Sequence, residues 1–567
     1  MLAAMVTPPS RPSAPDAATV ADATGCAVPR VRDDACPGAL RLHTAADGAL
    51  ARVRIPGGAL GAGQAEVFAE AALRLGDGAL HLTSRGNLQL RGLREERGAE
   101  LAGMLGAAGL LPSAAHERVR NIVASPLSGL DGRGHRDLRL WRVELDRLLC
   151  ESEAVRELSG RFLFGLDDGR GDVAALGADV TLLAVRDGNA LLVPAGATEA
   201  VRVPGEHAPL AALTAAETFL DLAREHGVRA WRVTDLAGAG GTLVRRIAER
   251  ARAACGDGTL VPVPEHGTAH GPGPAHGAGP AHGPGSAAGP GPGTGPGPGT
   301  GAAGGGGPLP GVVAHPGTAT AALSVLAPLG RLTVEQWRLL IRTAREDGAG
   351  ELRVTPWRGV VVPGLAAGRA PRALAALADA GLVTEPGSPW RGVGACAGRP
   401  GCGKALTDVR ADAAATLGER RPGQEDAWEG SGRDGGGVLP VYWSGCARRC
   451  GHPHGTHVEV VADVDGYHVS VVGPPHAGAS GVEAAGAAAS GAGTAGAGTP
   501  GTEAAHAGTP GAEPSVGRRA SESRPGPVPF GDSASLAAAV AAARAVRPGG
   551  RRGSPRRPTP QTDTTTR

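Results

Sequence analysis

The sequence predicts a duplicated α+β fold, and three observations lead to this prediction. An ungapped internal repeat relates residues 58–93 to residues 330–365. Each copy reads as an amphipathic helix followed by two strands. Long tracts rich in glycine and proline separate and follow the copies, and such tracts cannot bury enough apolar surface to fold. We therefore expect two folded blocks, at about 36–255 and 309–475.

The repeat has a constant offset of 272 residues. Identical residues recur at equivalent positions, for example Gly58 with Gly330, Gln64 with Gln336 and Gly92 with Gly364. In the first copy the helix is followed by a glycine-containing turn and the strands ALHLTS and NLQLRGL. Together with the preceding strand ALARVRIP, this order resembles a ferredoxin-like half-domain.

Composition limits both the core and the class of partner. The chain has 567 residues, of which 93 are glycine and 47 are proline, so much of it is not core. The net charge of +2 is spread along the chain, and we predict neither a nucleic-acid partner nor an anionic membrane partner. No apolar run approaches the roughly 18 residues of a membrane span, and the first residues lack the apolar stretch of a signal peptide. We expect a cytoplasmic protein.

Three segments are predicted to be disordered. They are a leader at 1–35, a Gly/Pro/His linker at 256–308 and a tail at 476–567. Within the tail, the stretch SASLAAAVAAARAV is expected to form one helix, capped by Ser533 or Ser535, to which we assign no function.

Two cysteine pairs occur in the second block. Cys396 and Cys402 are separated by five residues, and after a gap of 43 residues Cys446 and Cys450 are separated by three. In the cytoplasm, paired cysteines are more often metal ligands or redox groups than disulfides. The spacing differs from zinc knuckles and from the consecutive Cys-x2-Cys runs of bacterial ferredoxins. Four thiolates on glycine-rich loops suit a 4Fe-4S cluster, with zinc ligands and unligated thiols as the alternatives.

Arginine is the main candidate for ligand binding. In TSRGNLQLR, strand alternation would place Arg85, Asn87, Gln89 and Arg91 on one face. Arginine forks bind carboxylates bidentately and stay charged when partly desolvated. The alternative is an ordinary solvated strand face. Lys404, beside a paired cysteine, is the only lysine of the chain.

These motifs resemble those of the nitrite and sulfite reductase superfamily. The cysteine spacing, the duplicated half-domain and the segments LTSRGNLQLRG, VRNIVASPLSGLD and LRVTPWRGVVV carry the resemblance across both folded blocks. Within the superfamily, the segments CPGALRLHTAADGALARVRIPGG, GLDDGRGD and GRPGCGKALTDVRADA are similar to the precorrin-3B synthases. The resemblance implies that the four cysteines hold a 4Fe-4S cluster.

The resemblance also implies domain boundaries and a ligand surface. The implied domains are two ferredoxin-like half-domains at 36–110 and 309–385, a nitrite/sulfite reductase-like α/β domain at 111–255 and a cluster-binding α/β domain at 386–475. Siroheme and precorrin-3A are both tetrapyrroles with many carboxylates, so an arginine-lined scaffold could hold either. The residues predicted to bind the tetrapyrrole are Arg85, Asn87, Gln89, Arg91, Arg120, Asn121, Arg161 and Arg358.

The implied reaction is the oxygen-dependent hydroxylation of precorrin-3A at the meso carbon between rings A and D. Closure of a γ-lactone then gives precorrin-3B, in aerobic cobalamin biosynthesis. The resemblance implies a mononuclear non-haem iron, for which His454 and His457 with Asp167 or Asp172 are candidates; surface or structural histidines are the alternative. No G-x-G-x-x-G unit opens a helix after a strand, so we expect electrons from an external NADH-linked reductase or ferredoxin.

Two other functions compete with this one. A siroheme-dependent sulfite or nitrite reductase would use a lysine pair as proton donors, at positions that Arg161 and Leu163 occupy here. Arginine does not release a proton at neutral pH, which argues against this function. A non-catalytic iron–sulfur scaffold is the third candidate. No role is assigned to Cys26, Cys36, Cys150 or Cys255.

Overall fold

The computed structural model describes residues 34, 36–236, 240–264, 306–418, 439–451, 453, 456–473 and 527–544. The predicted leader apart from Asp34, most of the predicted linker, His454 and most of the predicted tail lie outside the described residues. The described residues form four sheets with helices packed on them. This combination confirms the predicted α+β fold class.

The two half-domains each build most of one five-stranded sheet and exchange one strand. The first sheet has the order β1 (His43–Ala45), β2 (Gly48–Val53), β5 (Leu88–Leu93), β4 (Ala79–Leu82) and β14 (Arg331–Thr333). The second has the order β12 (Gly311–Ala314), β13 (Thr320–Leu326), β16 (Gly359–Ala366), β15 (Glu351–Val354) and β3 (Ala59–Gly61). Each exchanged strand, β3 or β14, pairs antiparallel with the other half. The half-domains therefore share one hydrophobic core.

The repeated helices meet at a local two-fold axis. α1 (Ala62–Leu75) packs on the first sheet, α6 (Val334–Glu346) packs on the second, and the two helices contact each other. Trp337 Nε1 donates a hydrogen bond to the Ala65 carbonyl at 2.8 Å, and these residues are 272 apart, the offset of the repeat. A residue that contacts its own repeat equivalent lies next to the symmetry axis. Two further helices belong to the half-domains, α2 (Gly98–Ala107) and α7 (Ala370–Asp379).

Two equivalent glycines allow the halves to approach closely. Gly58 and Gly330 both have φ of +72°, in the left-handed region that favours glycine. A Cβ at Gly58 would overlap the Val354 carbonyl oxygen, and one at Gly330 would lie 3.2 Å from the Leu82 carbonyl oxygen. The repeat therefore keeps glycine here because the backbone of the other half lies against it.

The first α/β domain contains a six-stranded sheet. Its order is β11 (Thr259–Pro262), β10 (Glu199–Pro204), β9 (Asn189–Pro194), β8 (Val180–Ala184), β7 (Phe164–Asp167) and β6 (Ile122–Ala124). Strands β6, β7 and β8 are parallel, and the others are antiparallel to their neighbours. Its helices are α3 (Arg139–Glu151), α4 (Ala208–Glu225) and α5 (Gly240–Cys255). Strand β11 corrects the predicted linker, which begins too early because pairing with β10 orders these residues.

The second α/β domain contains the paired cysteines and a four-stranded sheet. Its strands, in order, are β17 (Val393–Ala395), β18 (Val441–Ser444), β19 (His457–Asp463) and β20 (Gly466–Val472). The first three are parallel and the last is antiparallel, as in β6 to β9. Its helices are α8 (Val409–Gly418) and α9 (Ser533–Arg544). The common strand order extends the duplication beyond the half-domains.

The C-terminal helix, Ser533–Arg544, agrees with the single helix expected within the predicted tail, and it is packed on the second α/β domain. Helix α9 buries Leu536 and Val540 in the core of the second α/β domain. Its cap is different from the prediction, because the Asp532 carboxylate accepts the backbone N–H of Ser535 at 3.0 Å. None of the helices in the described part of the chain has the length and apolarity that a membrane span needs.

Candidate functional site

A group of arginines lies where the first half-domain meets the first α/β domain. We call Arg52, Arg54, Arg85 and Arg161 the arginine cluster. Two of them share one acceptor: Arg54 Nη2 and Arg85 Nη1 approach the Gly160 carbonyl at 3.3 and 3.5 Å. The shared Gly160 carbonyl links the two domains, and the Arg161 guanidinium stacks 4.6 Å from the centre of the Trp231 ring within the first α/β domain.

The described residues do not neutralise the charge of the arginine cluster. No described carboxylate forms an ion pair with any of the three arginines of the first half-domain, and the Nε atoms of Arg52 and Arg54 are buried without a hydrogen-bond partner. Burial, together with repulsion from the Arg52 guanidinium, lowers the pKa of Arg54 to about 9. Burial also lowers the pKa of Arg85 to about 10, with repulsion from Arg232. Buried charges are normally paired, so the arginine cluster is suited to an anionic ligand.

Two predicted ligand-binding residues are braces instead. Asn87 and Asn121 are both buried, and Asn87 Nδ2 donates to Asn121 Oδ1 at 2.9 Å. Asn87 Oδ1 accepts the Ile55 backbone N–H at 2.9 Å, and Asn121 Nδ2 donates to the Phe162 carbonyl at 3.1 Å. Because Ile55 and Phe162 adjoin Arg54 and Arg161 in sequence, the amide pair fixes the spacing of the arginine cluster. It offers no direct contact to a ligand.

The prediction that Arg85, Asn87, Gln89 and Arg91 share one strand face is wrong for Arg85 and Asn87. Arg85 and Asn87 lie in a tight turn before β5, closed by a 3.0 Å hydrogen bond from the Thr83 N–H to the Asn87 carbonyl. Gly86 adopts φ of +65° in this turn. Gln89 is on β5, where its Oε1 accepts from Arg52 Nη2 at 3.3 Å. Gln89 therefore orients a member of the arginine cluster.

Arg91 points to the cysteines rather than to the arginine cluster. Its Nε and Nη2 donate to the two carboxylate oxygens of Asp47, each at 2.8 Å. Nη2 also donates to the Gly401 carbonyl at 2.6 Å, in the loop between Cys396 and Cys402. The side chain is 7% exposed, and its Nε and Nη2 donors are in use. This geometry does not support the predicted ligand role, and it assigns Arg91 to holding the cysteine loop.

Arg120 is likewise committed inside the protein. Its Nε and Nη2 form a bidentate ion pair with Asp146, both contacts at 2.7 Å, and its Nη1 donates to the Leu110 carbonyl at 3.2 Å. Arg120 is 4% exposed. The predicted ligand role of Arg120 is therefore not supported either, because its fork already holds a carboxylate of α3.

Arg358 lies near the cysteines in the second half. It has φ of +59°, and its guanidinium lies 5.8 Å from the centre of the Tyr442 ring. The Tyr442 hydroxyl donates to the Cys450 carbonyl at 2.7 Å. Burial raises the pKa of Tyr442 to about 12, so the phenol stays protonated as a donor at neutral pH.

The sheet of the second α/β domain brings the two cysteine pairs together. Cys396 directly follows β17, and Cys446 follows the neighbouring parallel strand β18, so both pairs lie at the same sheet edge. The backbone N–H of Gly445 points at Cys396 Sγ, at 3.2 Å. Burial raises the pKa of Cys450, and so do the nearby thiols of Cys446, Cys396 and Cys402. Four thiols at one sheet edge, with a backbone donor aimed at one sulfur, fit a 4Fe-4S cluster.

The described residues also bear on the requirements of a site for a single metal ion. The described residues contain no group of three or more histidine, cysteine, aspartate or glutamate side chains placed to hold one metal ion. A cubane spreads its four ligands over four corners, so its thiols need not converge on one point.

The candidate iron ligands are not assembled by the described residues. His454 lies outside them, and His457 is buried 3.6 Å from Glu459. Asp167, at the end of β7, accepts four backbone N–H groups of its own loop. Asp172 accepts the Ser125 hydroxyl at 2.6 Å. The two aspartates serve the fold of this loop.

Sequence reasoning missed several residues of the site. Arg52, Arg54 and Arg410 were not predicted, although the pair RVR inside an otherwise apolar strand was a usable signal. Arg410, on α8, donates from Nε to the Cys396 carbonyl at 3.1 Å and contacts His81 Nδ1 at 3.2 Å. Leu163 is 5% exposed and packs with Val123, Val173 and Ala178. An apolar pocket thus occupies the position at which the reductase alternative requires a lysine.

Comparison with known proteins agrees with this fold. A family model of the nitrite/sulfite reductase ferredoxin-like half domain matches residues 43–108 and 315–380, one match in each half. A solved structure, the NirA protein of Mycobacterium tuberculosis, superposes with a TM-score of 0.52 and 18% identity over 74% of each chain. At this identity the superposition shows the fold alone.

Curated relatives include more than one activity. A precorrin-3B synthase of Sinorhizobium sp is 28% identical over 467 residues, which cover 79% of this chain and 87% of that protein. A ferredoxin–nitrite reductase of Synechococcus elongatus is 26% identical over 435 residues, covering 71% of this chain and 74% of that protein. The half-domain pair and these relatives agree: the chain contains two nitrite/sulfite reductase ferredoxin-like half domains and is similar to oxidoreductases that contain them.

Proposed function

We propose that the chain is a cytoplasmic, oxygen-dependent tetrapyrrole monooxygenase that converts precorrin-3A into precorrin-3B. The observation that carries this proposal is the unneutralised arginine cluster, in which Arg52, Arg54 and Arg85 have no carboxylate partner among the described residues. Burying unpaired cations is costly, so the site is suited to a ligand with several anionic groups. The acetate and propionate side chains of a tetrapyrrole provide such groups for arginine forks.

Two further observations favour the monooxygenase over the siroheme-dependent reductase. The similarity to a precorrin-3B synthase extends over 79% of the chain. The segment that would supply proton-donating lysines in a reductase carries Arg161, stacked on Trp231, and Leu163, buried among apolar side chains. Neither side chain releases a proton at neutral pH. Reduction of sulfite or nitrite, which consumes several protons, would lack its donors.

The proposed reaction consumes one precorrin-3A, one dioxygen, two electrons and two protons, and yields precorrin-3B and one water. One oxygen atom forms the new C–O bond at the meso carbon between rings A and D, and the ring A acetate closes the γ-lactone. A 4Fe-4S cluster held by Cys396, Cys402, Cys446 and Cys450 would supply one-electron transfer. The arginine cluster would bind and orient the macrocycle through its carboxylates, and the Asn87–Asn121 pair would keep its two sides in register.

We assign the electron supply to an external acidic carrier, a ferredoxin or an NADH-linked reductase. Cys450 is the most exposed of the four cysteines. The exposed cations of the same two loops are Arg399, Lys404, Arg448 and Arg449, and Leu406 is 39% exposed beside them. Cations around a small apolar patch favour association with an acidic partner, at a rate that salt reduces.

Anaerobic purification followed by iron, sulfide and absorbance analysis tests the proposal. We expect about four irons with matching sulfide and no tetrapyrrole in the isolated protein. With precorrin-3A, dioxygen and a reductant, the product mass should increase by one oxygen atom. Stoichiometric siroheme with turnover of sulfite or nitrite would establish the reductase, and failure to bind any tetrapyrrole would support the scaffold.

Matched variants test the arginine cluster itself. Arg54→Met and Arg85→Met should each weaken precorrin-3A binding by about 1.5–3 kcal/mol, the range of a hydrogen bond to a charged group, and leave the cluster spectrum unchanged. Arg372→Ala, an exposed arginine of α7, serves as the control with unchanged binding. Unchanged affinity for precorrin-3A in both Arg54→Met and Arg85→Met would refute the assignment of the arginine cluster as the ligand surface.

A further inference from the structure

Helix α9 belongs to the core of the second α/β domain although it lies far along the chain from that domain's sheet. Leu536 and Val540 are 3% and 8% exposed, and they join the same apolar cluster as Trp443 and Tyr467. The backbone of the segment before the helix also joins the sheet. Tyr467 and Val528 exchange both N–H to carbonyl hydrogen bonds, at 2.7 and 2.9 Å. Residues 527–544 are thus attached by side chains and by backbone.

The last described residue of this segment contacts the starts of both cysteine-bearing strands. Arg544 is 5% exposed. Its Nη2 donates to the Arg391 carbonyl at 3.0 Å, just before β17, and its Nε donates to the Leu439 carbonyl at 3.1 Å, just before β18. Nη1 approaches the Pro389 carbonyl at 3.5 Å. One planar guanidinium therefore fixes the relative position of the two strands, at whose other ends lie Cys396 and Cys446.

A second path leads from the segment to the loop between Cys396 and Cys402. The Phe530 ring packs edge-on against Tyr467, with ring centres 5.2 Å apart. The Tyr467 hydroxyl donates to Asp412 Oδ2 at 2.6 Å, and the Thr407 hydroxyl donates to the same oxygen at 2.8 Å. The Thr407 carbonyl in turn accepts the Arg399 backbone N–H at 2.9 Å, inside the loop. The segment thus supports this loop by a route independent of Arg544.

We propose that residues 527–544 form a clamp that holds the two cysteine pairs in the arrangement required to take up an iron–sulfur cluster, with Arg544 as the positioning residue. The two pairs are separated by 43 residues of sequence, so bringing them together has an entropic cost that a preformed frame reduces. The clamp supplies the frame by joining β17, β18 and the first cysteine loop. The inference rests on the proposed cluster, but its test does not depend on turnover.

The experiment uses the full chain, its Arg544→Met and Arg544→Lys variants, and a chain that ends at residue 526. Each protein is reconstituted anaerobically with ferrous iron and sulfide, and bound iron is measured. In parallel, thiol-labelling rates of Cys402 and Cys446 are measured by mass spectrometry on the metal-free proteins, with buried Cys255 of the first α/β domain as internal reference. Arg372→Ala is the matched control.

We expect Arg544→Met to lower the rate of cluster uptake at least tenfold and to raise labelling of Cys402 and Cys446 by a similar factor, with Cys255 unchanged. Arg544→Lys, which keeps a donor cation, should recover part of both effects. A peptide of residues 527–544 added to the truncated chain should restore slow labelling and iron uptake. Recovery by the conservative variant and by the peptide distinguishes positioning from general destabilisation.

Normal iron uptake and unchanged labelling in Arg544→Met would overturn the clamp, and a parallel rise in Cys255 labelling would overturn it in favour of global destabilisation. If the truncated chain fails to fold, the point variants decide the matter. If the full chain takes up no cluster at all, the proposed function fails, whereas the labelling comparison still tests whether the clamp orders the cysteine loops.

Discussion

Replacing Arg91 with methionine should loosen the first cysteine loop and should not affect ligand binding directly. Arg91 makes three charge-assisted hydrogen bonds, two to Asp47 at 2.8 Å and one to the Gly401 carbonyl at 2.6 Å. The side chains of Arg91 and Asp47 are only 7% and 20% exposed. Breaking a buried pair by removing one partner costs about 3–5 kcal/mol, because the remaining charge stays unpaired.

The multidomain chain does not have a single well-defined free energy of unfolding, so a local measurement is required. Native-state hydrogen exchange reports the free energy of opening at individual amides. The Cys402 N–H, which donates to the Gly398 carbonyl at 2.8 Å, is the natural reporter. A loss of about 3–5 kcal/mol should accelerate its exchange on the order of 100- to 3000-fold, since every 1.4 kcal/mol is tenfold.

An exposed ion pair provides the control. Arg74 is 53% exposed and pairs with Glu70 at 2.6 Å, and exposed ion pairs contribute little to stability, so Arg74→Met should leave the exchange of the Cys402 amide unchanged. The reasoning fails if Arg91→Met leaves exchange in the cysteine loop unaltered and instead weakens tetrapyrrole binding. That result would restore the ligand role that the sequence predicts for Arg91.

Three further predictions concern other parts of the molecule. Burial, followed by repulsion from neighbouring carboxylates, raises the pKa of Asp172 to about 7 from its ordinary value of 3.8. Between these values the folded chain binds more protons than the unfolded chain, so the free energy of unfolding should fall as pH rises from 4 to 7, by up to about 1.4 kcal/mol per pH unit. The urea midpoint, measured at several pH values, should fall with it, and Asp172→Asn should flatten this dependence. Gly58→Ala should destabilise the half-domains by more than about 2 kcal/mol because its Cβ would overlap the Val354 carbonyl oxygen. Gly63→Ala, on α1 with open space around it, is the control and should be neutral or slightly stabilising in thermal melts. Equal effects of the two substitutions would contradict the close approach of the two half-domain backbones at Gly58. Deleting 268–305 should leave the melting temperature and iron content unchanged, because the tract has no apolar side chain larger than alanine or proline to bury, and a loss of either would show that it contributes to the fold.

Much of the fold could be predicted from local sequence. The repeat offset of 272 residues, the helix and strand periodicities and the cysteine spacing all express local requirements. Gly58 and Gly330, for example, share φ of +72° because the same turn recurs in both halves. The exchange of β3 and β14 between the sheets was not predictable, because either short strand could have paired within its own half.

The roles of the arginines depend on partners that are distant in sequence. Arg91 and Arg120 were predicted to bind a ligand, but Asp47 and Asp146, 44 and 26 residues away, take up their forks. Arg52 and Arg54, which were not predicted, join Arg85 in having no carboxylate partner among the described residues. A residue's type fixes its charge, whereas burial and pairing depend on which chain segments meet.

The sequence by itself therefore determined the duplicated α+β class and the pairing of the four cysteines along the chain, because periodicity and spacing carry that information. Only the tertiary structure decided which arginines have a carboxylate partner and which hold the cysteine loop. It also decided that α9, within a tail of low-complexity composition, completes the core around Trp443 and Tyr467. The physical reason is the same in both cases: the free energy of burying a charge or an apolar side chain depends on its neighbours in space, and residues distant in sequence supply those neighbours.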